Sequence, residues 1–399
     1  RVLRGGPPYY TPSFLLADVV PQEGRRFTNF SGDLSGRYLS GLAALCPQDR
    51  EACAALQSFV LEVLPHQKPE GYFGDPAAGR LPEGLLESWL TAGWRSGNDH
   101  MALLWGNGRL LVGLVEAWQV SQDSRILKAA ERLGDYLRRA AEVWDSPLAA
   151  WRFRDRRATG YICWTQTAEG LALLAEATGE QQYREAAYRA GSRLERVQNQ
   201  HSHGYLSTMR ALTRLAATGA KTEMQQVEAA WQGVVDSQNV TPARVIPEMF
   251  RPFDRRDEGC SNADWVRWTL DLWRATGKLG YLEEAERAIV NGFALSQLAN
   301  GDFGHRSFAP GGFQAGAGRA WWCCTLHGLR ALADIRKQAV RRSGSSVLVE
   351  LPMAGEWEGF GSAGLLRVSL QQGDRELRVR APEWAETVAV EGTGWEPAG

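Results

Sequence analysis

Between about residue 34 and residue 340, apolar side chains return at three- and four-residue steps, the interval that lines one face of an α-helix. Leu103, Leu104, Leu110, Leu111, Leu114 and Trp118 make one such stripe. Leu171, Leu173 and Leu174 open another, and Tyr183, Ala187, Ala190 and Leu194 follow. Several stripes share a stop signal: Ala177-Thr178-Gly179, Ala217-Thr218-Gly219 and Ala275-Thr276-Gly277 each end one amphipathic helix and precede the next. Glycine accepts the left-handed conformation that closes a helix C-terminus. Gln122-Asp123, after Trp118, holds the equivalent place in an earlier pair.

Helical hairpins repeated at this length stack either into an open solenoid or into a closed ring. The insertions from Pro69 to Pro76, Trp94 to Asp99 and Val240 to Cys260 are long for a regular solenoid and suit loops that build a pocket at one end of a ring. The expectation is an all-α-dominant fold, an (α/α)6 toroid of helical hairpins over residues 1–342, with the catalytic apparatus in it. The pattern changes near Ser343-Gly344-Ser345-Ser346. Val347 to Leu351 reads as a strand, and Leu365–Leu370 with Arg375–Arg380 reads as a β-hairpin turning at Gly373. Residues 343–399 are therefore expected to form a short or truncated β-sandwich-like module.

Composition narrows the function. The 399 residues carry 45 basic against 46 acidic side chains, a formal net charge of -1, which argues against a nucleic-acid partner. No segment approaches the roughly 20 apolar residues of a membrane span. With 16 Trp and 13 Phe the chain has ample material for a core. The six cysteines, Cys46, Cys53, Cys163, Cys260, Cys323 and Cys324, are too sparse for a disulfide scaffold, and reduced thiols favour a cytoplasmic location. The first residue, Arg1, leaves secretion open. Oligomeric state is left open too.

The chemistry gathers around two loops. Glu258 and Cys260 lie in Asp257-Glu-Gly-Cys-Ser261, Cys323 and Cys324 are adjacent, and Glu248 lies in Ile246-Pro-Glu-Met-Phe250. One carboxylate and three thiols make a tetrahedral set for Zn²⁺. The same residues read equally as a helix-terminal carboxylate and unrelated buried thiols.

The sequence resembles glycoside hydrolase family 127, the β-L-arabinofuranosidase-like group. The matching stretches are Ser31 to Arg37, Pro247 to Phe250, Glu258-Gly-Cys260, Tyr281 to Gly292, Trp322-Cys-Cys324 and Leu377 to Trp384. The resemblance implies zinc held by Glu258, Cys260, Cys323 and Cys324, with Cys323 the nucleophile and Glu248 the general acid/base. It implies a carbohydrate substrate, β-L-arabinofuranose by default, and a retaining mechanism in which a thiolate takes the place of the usual second carboxylate. His203 and Glu286 match sugar-contacting positions. The chain departs from the pattern at Trp105 to Arg109 and at Cys163-Trp164-Thr165-Gln166, where histidines are common, and Gly304-His305-Arg306 stands in place of a tyrosine. Arg109, Trp164, His305 and Arg306 are thus further expected sugar contacts, with Arg able to pair with an acidic sugar and Trp to stack on a ring. Asp33 and Arg37 are spaced as an i,i+4 ion pair. His327 reads either as a group near the zinc or as a satisfied core histidine. The alternatives are another (α/α)6 carbohydrate-active enzyme, of epimerase or lyase type, or a non-catalytic carbohydrate-binding toroid with structural zinc.

Overall fold

The structure, a computed structural model, describes residues 11–20, 30–74, 94–144, 161–237, 239–251, 255–309, 312–351 and 372–385. In chain order its first helices are α1 (Pro12–Leu16), α2 (Asp33–Leu45), α3 (Arg50–Val63), α4 (Trp94–Ser121), α5 (Ser124–Trp144) and α6 (Tyr161–Thr165). There follow α7 (Thr167–Thr178), α8 (Gln181–Gly191), α9 (Ser202–Ala217), α10 (Lys221–Val235), α11 (Gly259–Thr276) and α12 (Leu279–Ala288). A hairpin of β1 (Gly304–Ala309) and β2 (Gly312–Ala320) leads into α13 (Trp322–Ala339).

Six of these helices form a closed inner ring: α2 packs on α4, α4 on α7, α7 on α9, α9 on α11, α11 on α13, and α13 returns to α2. Five of them lead into an outer partner, α3, α5, α8, α10 and α12 respectively. The inner helices are buried on most of their circumference, and the polar side chains they carry there pair with one another across the ring, as Arg210 does with Asp264 and Arg330 with Glu169. Where α2 meets α4 the backbones touch through glycine: a Cβ on Gly113 would stand 2.3 Å from the Gly36 carbonyl oxygen, so no larger residue fits. Among the described residues no helix is long and apolar enough to cross a membrane.

The stop signals behave as the sequence suggests at three of the four places. Gly179 and Gly277 adopt φ 76° and 65°, and Gln122 itself takes φ 56°. The threonines help: Thr178 and Thr276 hydroxyls donate to Leu174 and Leu272 carbonyls and accept from the amides of Glu180 and Lys278. At the remaining site the helix ends at Ala217, and Thr218, not Gly219, breaks the geometry.

Beyond α13 the chain runs into β3 (Val340–Ser343), which pairs antiparallel with β4 (Ser346–Val349) across Gly344, and β5 (Glu376–Val379) pairs with β4 in parallel. The strand expected from Val347 is therefore present, while β5 pairs with it. The expected first hairpin arm, Leu365–Leu370, lies outside the described residues, as does the insertion beyond residue 74. The insertion expected from Trp94 to Asp99 is instead the start of α4. A disulfide, Cys46–Cys53, ties the end of α2 to α3.

Candidate active site and metal centre

The first turns of α9, α11 and α13, with that of α2, meet at one end of the ring. Glu258 is the N-cap residue of α11, Cys260 lies in its first turn, and Cys323 and Cys324 lie in the first turn of α13. Helix N-termini present unpaired N–H groups and partial positive charge, which favours thiolate and carboxylate there. Each of the three thiols is buried, but Cys323 is 9% exposed while Cys260 and Cys324 are sealed. Cys323 is therefore the least covered of the three residues.

Ligand atoms of Glu258, Cys260, Cys323 and Cys324 all lie within 4.8 Å of one another. Two sulfurs about 2.3 Å from a tetrahedral zinc stand about 3.8 Å apart, and the Cys323 and Cys324 sulfurs are separated by 3.9 Å. The donor set, its closure and its charge all fit Zn²⁺. Burial opposes ionisation of Cys323, but hydrogen bonds from Cys260 and Cys324 and the nearby Arg37 outweigh it and hold this thiol well below its ordinary value. Burial and the neighbouring sulfurs push Cys260 up.

His201, which the sequence reading passed over, caps α9 and places Nε2 3.0 Å from Glu258 Oε2. Ser261 donates to the same oxygen at 3.1 Å. Both contacts fall on Oε2, which leaves Oε1 for a metal. Burial opposes charge on each member of the pair, yet their mutual attraction prevails: Glu258 is held low and His201 is raised. Trp105 packs its ring 5.7 Å from the His201 ring.

Glu248 stands on an irregular ladder across the mouth of the ring. His201 bridges to Met249, Pro247 to Asp257, and Arg256 to Ser307 of β1. The Glu248 amide donates to the Arg256 carbonyl, and its own carbonyl accepts from the Ser202 amide. Its carboxylate lies 3.1 Å from Arg256 Nε and 3.9 Å from His305 Nδ1. Burial and the charge of Glu258 raise its pKa, against the pull of His305, Arg256 and His201. Glu248 and His305 thus stand near Glu258 of the four-residue cluster. Arg306 follows on β1 with its guanidinium on the Leu295 carbonyl at 2.6 Å.

Four expected sugar contacts have other partners. Trp164 is 1% exposed, in the core. Arg109 is spent on a buried pair with Glu169 at 2.8 Å and on Gln166, because the ring's centre holds carboxylates that need it. Glu286 receives Trp384 Nε1 at 2.9 Å and faces Arg380, so it belongs to the contact with the C-terminal strands and is neither at the site nor on a solvated face. His203 is 1% exposed and has both nitrogens engaged, Nδ1 with Asp264 at 2.6 Å and Nε2 with Arg37 at 2.9 Å. The Asp33–Arg37 pair forms as its spacing suggests, at 2.8 Å.

His327 is a satisfied core histidine: Nε2 donates to Asp264 Oδ1 at 2.7 Å. Burial, then the nearby His203 and Arg267, keep its pKa well below the ordinary 6.5 despite Asp264. Burial likewise keeps His203 lowered. An unfolded imidazole takes up a proton near pH 6.5, whereas the folded one does not, so stability is lost as the pH falls below about 6.5. Each such proton contributes roughly 1.4 kcal/mol per pH unit. Because Asp257 and His201, both raised, act in the opposite direction, the test is a difference: in denaturant unfolding between about pH 7.5 and pH 5, His327→Gln is expected to lose less stability, or gain more, than wild type as the pH falls. An unchanged slope in that variant would count against the assignment.

Residues 18–189 match the family model for the beta-L-arabinofuranosidase GH127 catalytic domain. Comparison with the curated proteins finds no match. Among solved structures, the chain resembles a GH127 beta-L-arabinofuranosidase from Geobacillus stearothermophilus T6, with TM-score 0.62 and 17% identity over 88% of this chain and 63% of that one. It resembles a second GH127 beta-arabinofuranosidase with TM-score 0.60 and 17% identity, covering 85% of this chain and 57% of that one. The cellobiose 2-epimerase of Spirochaeta thermophila DSM 6192 shares the ring at TM-score 0.52 and 15% identity, over 76% of this chain and 85% of its own. The chain spans less than two thirds of the two GH127 structures. At these identities the likeness is one of fold, and the family model itself matches residues 18–189 of the 399.

Proposed function

We propose that this chain is a zinc-dependent, retaining exo-glycosidase acting on a β-L-arabinofuranoside or a related sugar, with Cys323 as nucleophile and Glu248 as general acid/base. The observation that carries the reading is the buried Glu258, Cys260, Cys323, Cys324 set, with its ligand atoms within 4.8 Å of one another. The substrate class follows from the family model and from the names of the two GH127 structures. Zinc, when bound, keeps the three thiols as thiolates at neutral pH.

The protein's own residues then divide the work. In the first step Cys323 Sγ attacks the anomeric carbon while the carbon–oxygen bond to the leaving group breaks, and Glu248 gives its proton to the departing oxygen. A raised pKa suits Glu248 to hold that proton until it is needed. In the second step the Glu248 carboxylate takes a proton from water as the water oxygen attacks the anomeric carbon. The carbon–sulfur bond breaks and its electron pair returns to Sγ. Two displacements retain the anomeric configuration. Arg256 pairs with the Glu248 carboxylate at 3.1 Å and balances its charge between the steps, while His305, whose Nδ1 donates to the Asp257 carbonyl, stands 3.9 Å away.

A panel of p-nitrophenyl L- and D-glycosides tests the reading. The L-arabinofuranoside is expected to be cleaved. Dialysis against a chelator should take activity to background, and added zinc should restore it. Full activity in metal-free protein, or no turnover of any glycoside by zinc-loaded protein, would contradict it.

A further inference from the structure

Arg37 projects from α2 into the ring and is 5% exposed. All three of its nitrogens are committed. Nε donates to Asp33 Oδ1 at 2.8 Å, NH2 lies 2.9 Å from His203 Nε2, and NH1 lies 3.7 Å from Cys260 Sγ. A guanidinium can only donate, so His203 Nε2 accepts from it and the imidazole proton sits on Nδ1, facing Asp264 at 2.6 Å. Asp33 is held in turn by Trp105 Nε1 at 3.1 Å. The fork is therefore clamped by groups from α2, α4 and α9, and its remaining arm is aimed at a sulfur.

The charge of the neighbouring set explains why a cation belongs there. Zn²⁺ with three thiolates and one carboxylate carries a net charge of about −2, which burial makes costly unless a buried partner compensates it. His201 faces the carboxylate member of the set at 3.0 Å. Arg37 faces the sulfur side. Groups that hydrogen-bond to metal ligands orient those ligands and set the metal's affinity.

We propose that Arg37 is the positioning residue of the thiolate side of the zinc site: its guanidinium, fixed by Asp33 and His203, donates to Cys260 Sγ and sets how tightly zinc is held. The inference rests on reading the Glu258, Cys260, Cys323, Cys324 set as a zinc centre. It assigns α2, far from the ligands in sequence, a part in metal binding that acts through Cys260.

Competition between the whole protein and a chromophoric chelator for zinc measures the affinity, beginning with the wild type. Wild type that takes up no zinc overturns the underlying reading, before any variant is made. With zinc bound at about one ion per chain, Arg37→Met is expected to weaken affinity roughly 10- to 100-fold. Arg37→Lys, which restores charge without the fork, should fall between Arg37→Met and wild type. Unfolding of the metal-free proteins is followed in parallel. A purely structural arginine would lower metal-free stability while the folded fraction bound zinc as tightly as wild type, and that result overturns the proposal. If Arg37→Met does not fold, Asp33→Asn, which loosens the same clamp, carries the test. It should weaken zinc in the same direction, and undiminished affinity in both Asp33→Asn and Arg37→Lys overturns the proposal.

Discussion

Cys323→Ala is expected to lower kcat for an aryl β-L-arabinofuranoside by on the order of 10⁴-fold or more, since the nucleophile of a covalent mechanism acts as a unit with its partners. Cys323 is singled out among the three clustered thiols on physical grounds. Cys260 and Cys324 are sealed at 0% exposure, whereas Cys323 retains 9%. It is also the thiol whose surroundings most favour thiolate, with Arg37 and the two neighbouring sulfhydryls acting against burial. Steady-state kinetics on the variant, with zinc content and cooperative unfolding checked alongside, measures the effect. A folded Cys323→Ala protein that keeps zinc and most of its rate would remove Cys323 from the mechanism.

Glu248→Gln is the second large effect, expected to cost about 10²- to 10⁴-fold in kcat. The loss should depend on the leaving group. A good one, such as a nitrophenol, departs without a proton, so its first step is spared and the second, which needs Glu248 as base, becomes limiting. A poor alkyl leaving group should suffer at the first step as well. The pH profile carries a further signature. Burial and the negative charge of Glu258 favour the protonated form of Glu248, so its folded pKa lies above the ordinary carboxylate value of about 4.3. The alkaline limb of kcat/KM should therefore lie above that value. Arg256 favours the ionised form from 3.1 Å, so Arg256→Gln should move the limb higher still. A limb that moves lower in this variant would contradict the assignment.

Much of this was legible in the sequence where local rules decide the outcome. The ring follows from repeated amphipathic helices punctuated at Gln122, Gly179 and Gly277, whose positive φ values are local backbone facts. That Glu258-x-Cys260 and Cys323-Cys324 belong together came from the family resemblance, since their spacing alone reads equally as buried thiols, and the structure places their ligand atoms within 4.8 Å of one another. What escaped was decided by distance in the chain. His201 looks like any helix-entry histidine until α11 brings Glu258 to it. Arg37 reads as half of an ion pair until the closed ring brings its guanidinium within reach of Cys260 on α11. Arg109 and Trp164 have side chains suited to a sugar, but inner-ring packing turns them into the protein, where Glu169 and the core claim them. Glu286 is claimed by Arg380 and Trp384, more than ninety residues further along the chain. A helical pattern states which face of a helix is buried, not which neighbour buries it.

The most direct test of the central assignment is mass spectrometry of the Glu248→Gln protein, quenched in acid after incubation with an aryl β-L-arabinofuranoside. With the first step spared and the base of the second removed, a thioglycosyl intermediate should accumulate. One pentosyl unit is then expected on the peptide that carries Cys323, and on no other. A burst of nitrophenol with no sugar on that peptide, or with the sugar on a carboxylate instead, would contradict a cysteine nucleophile.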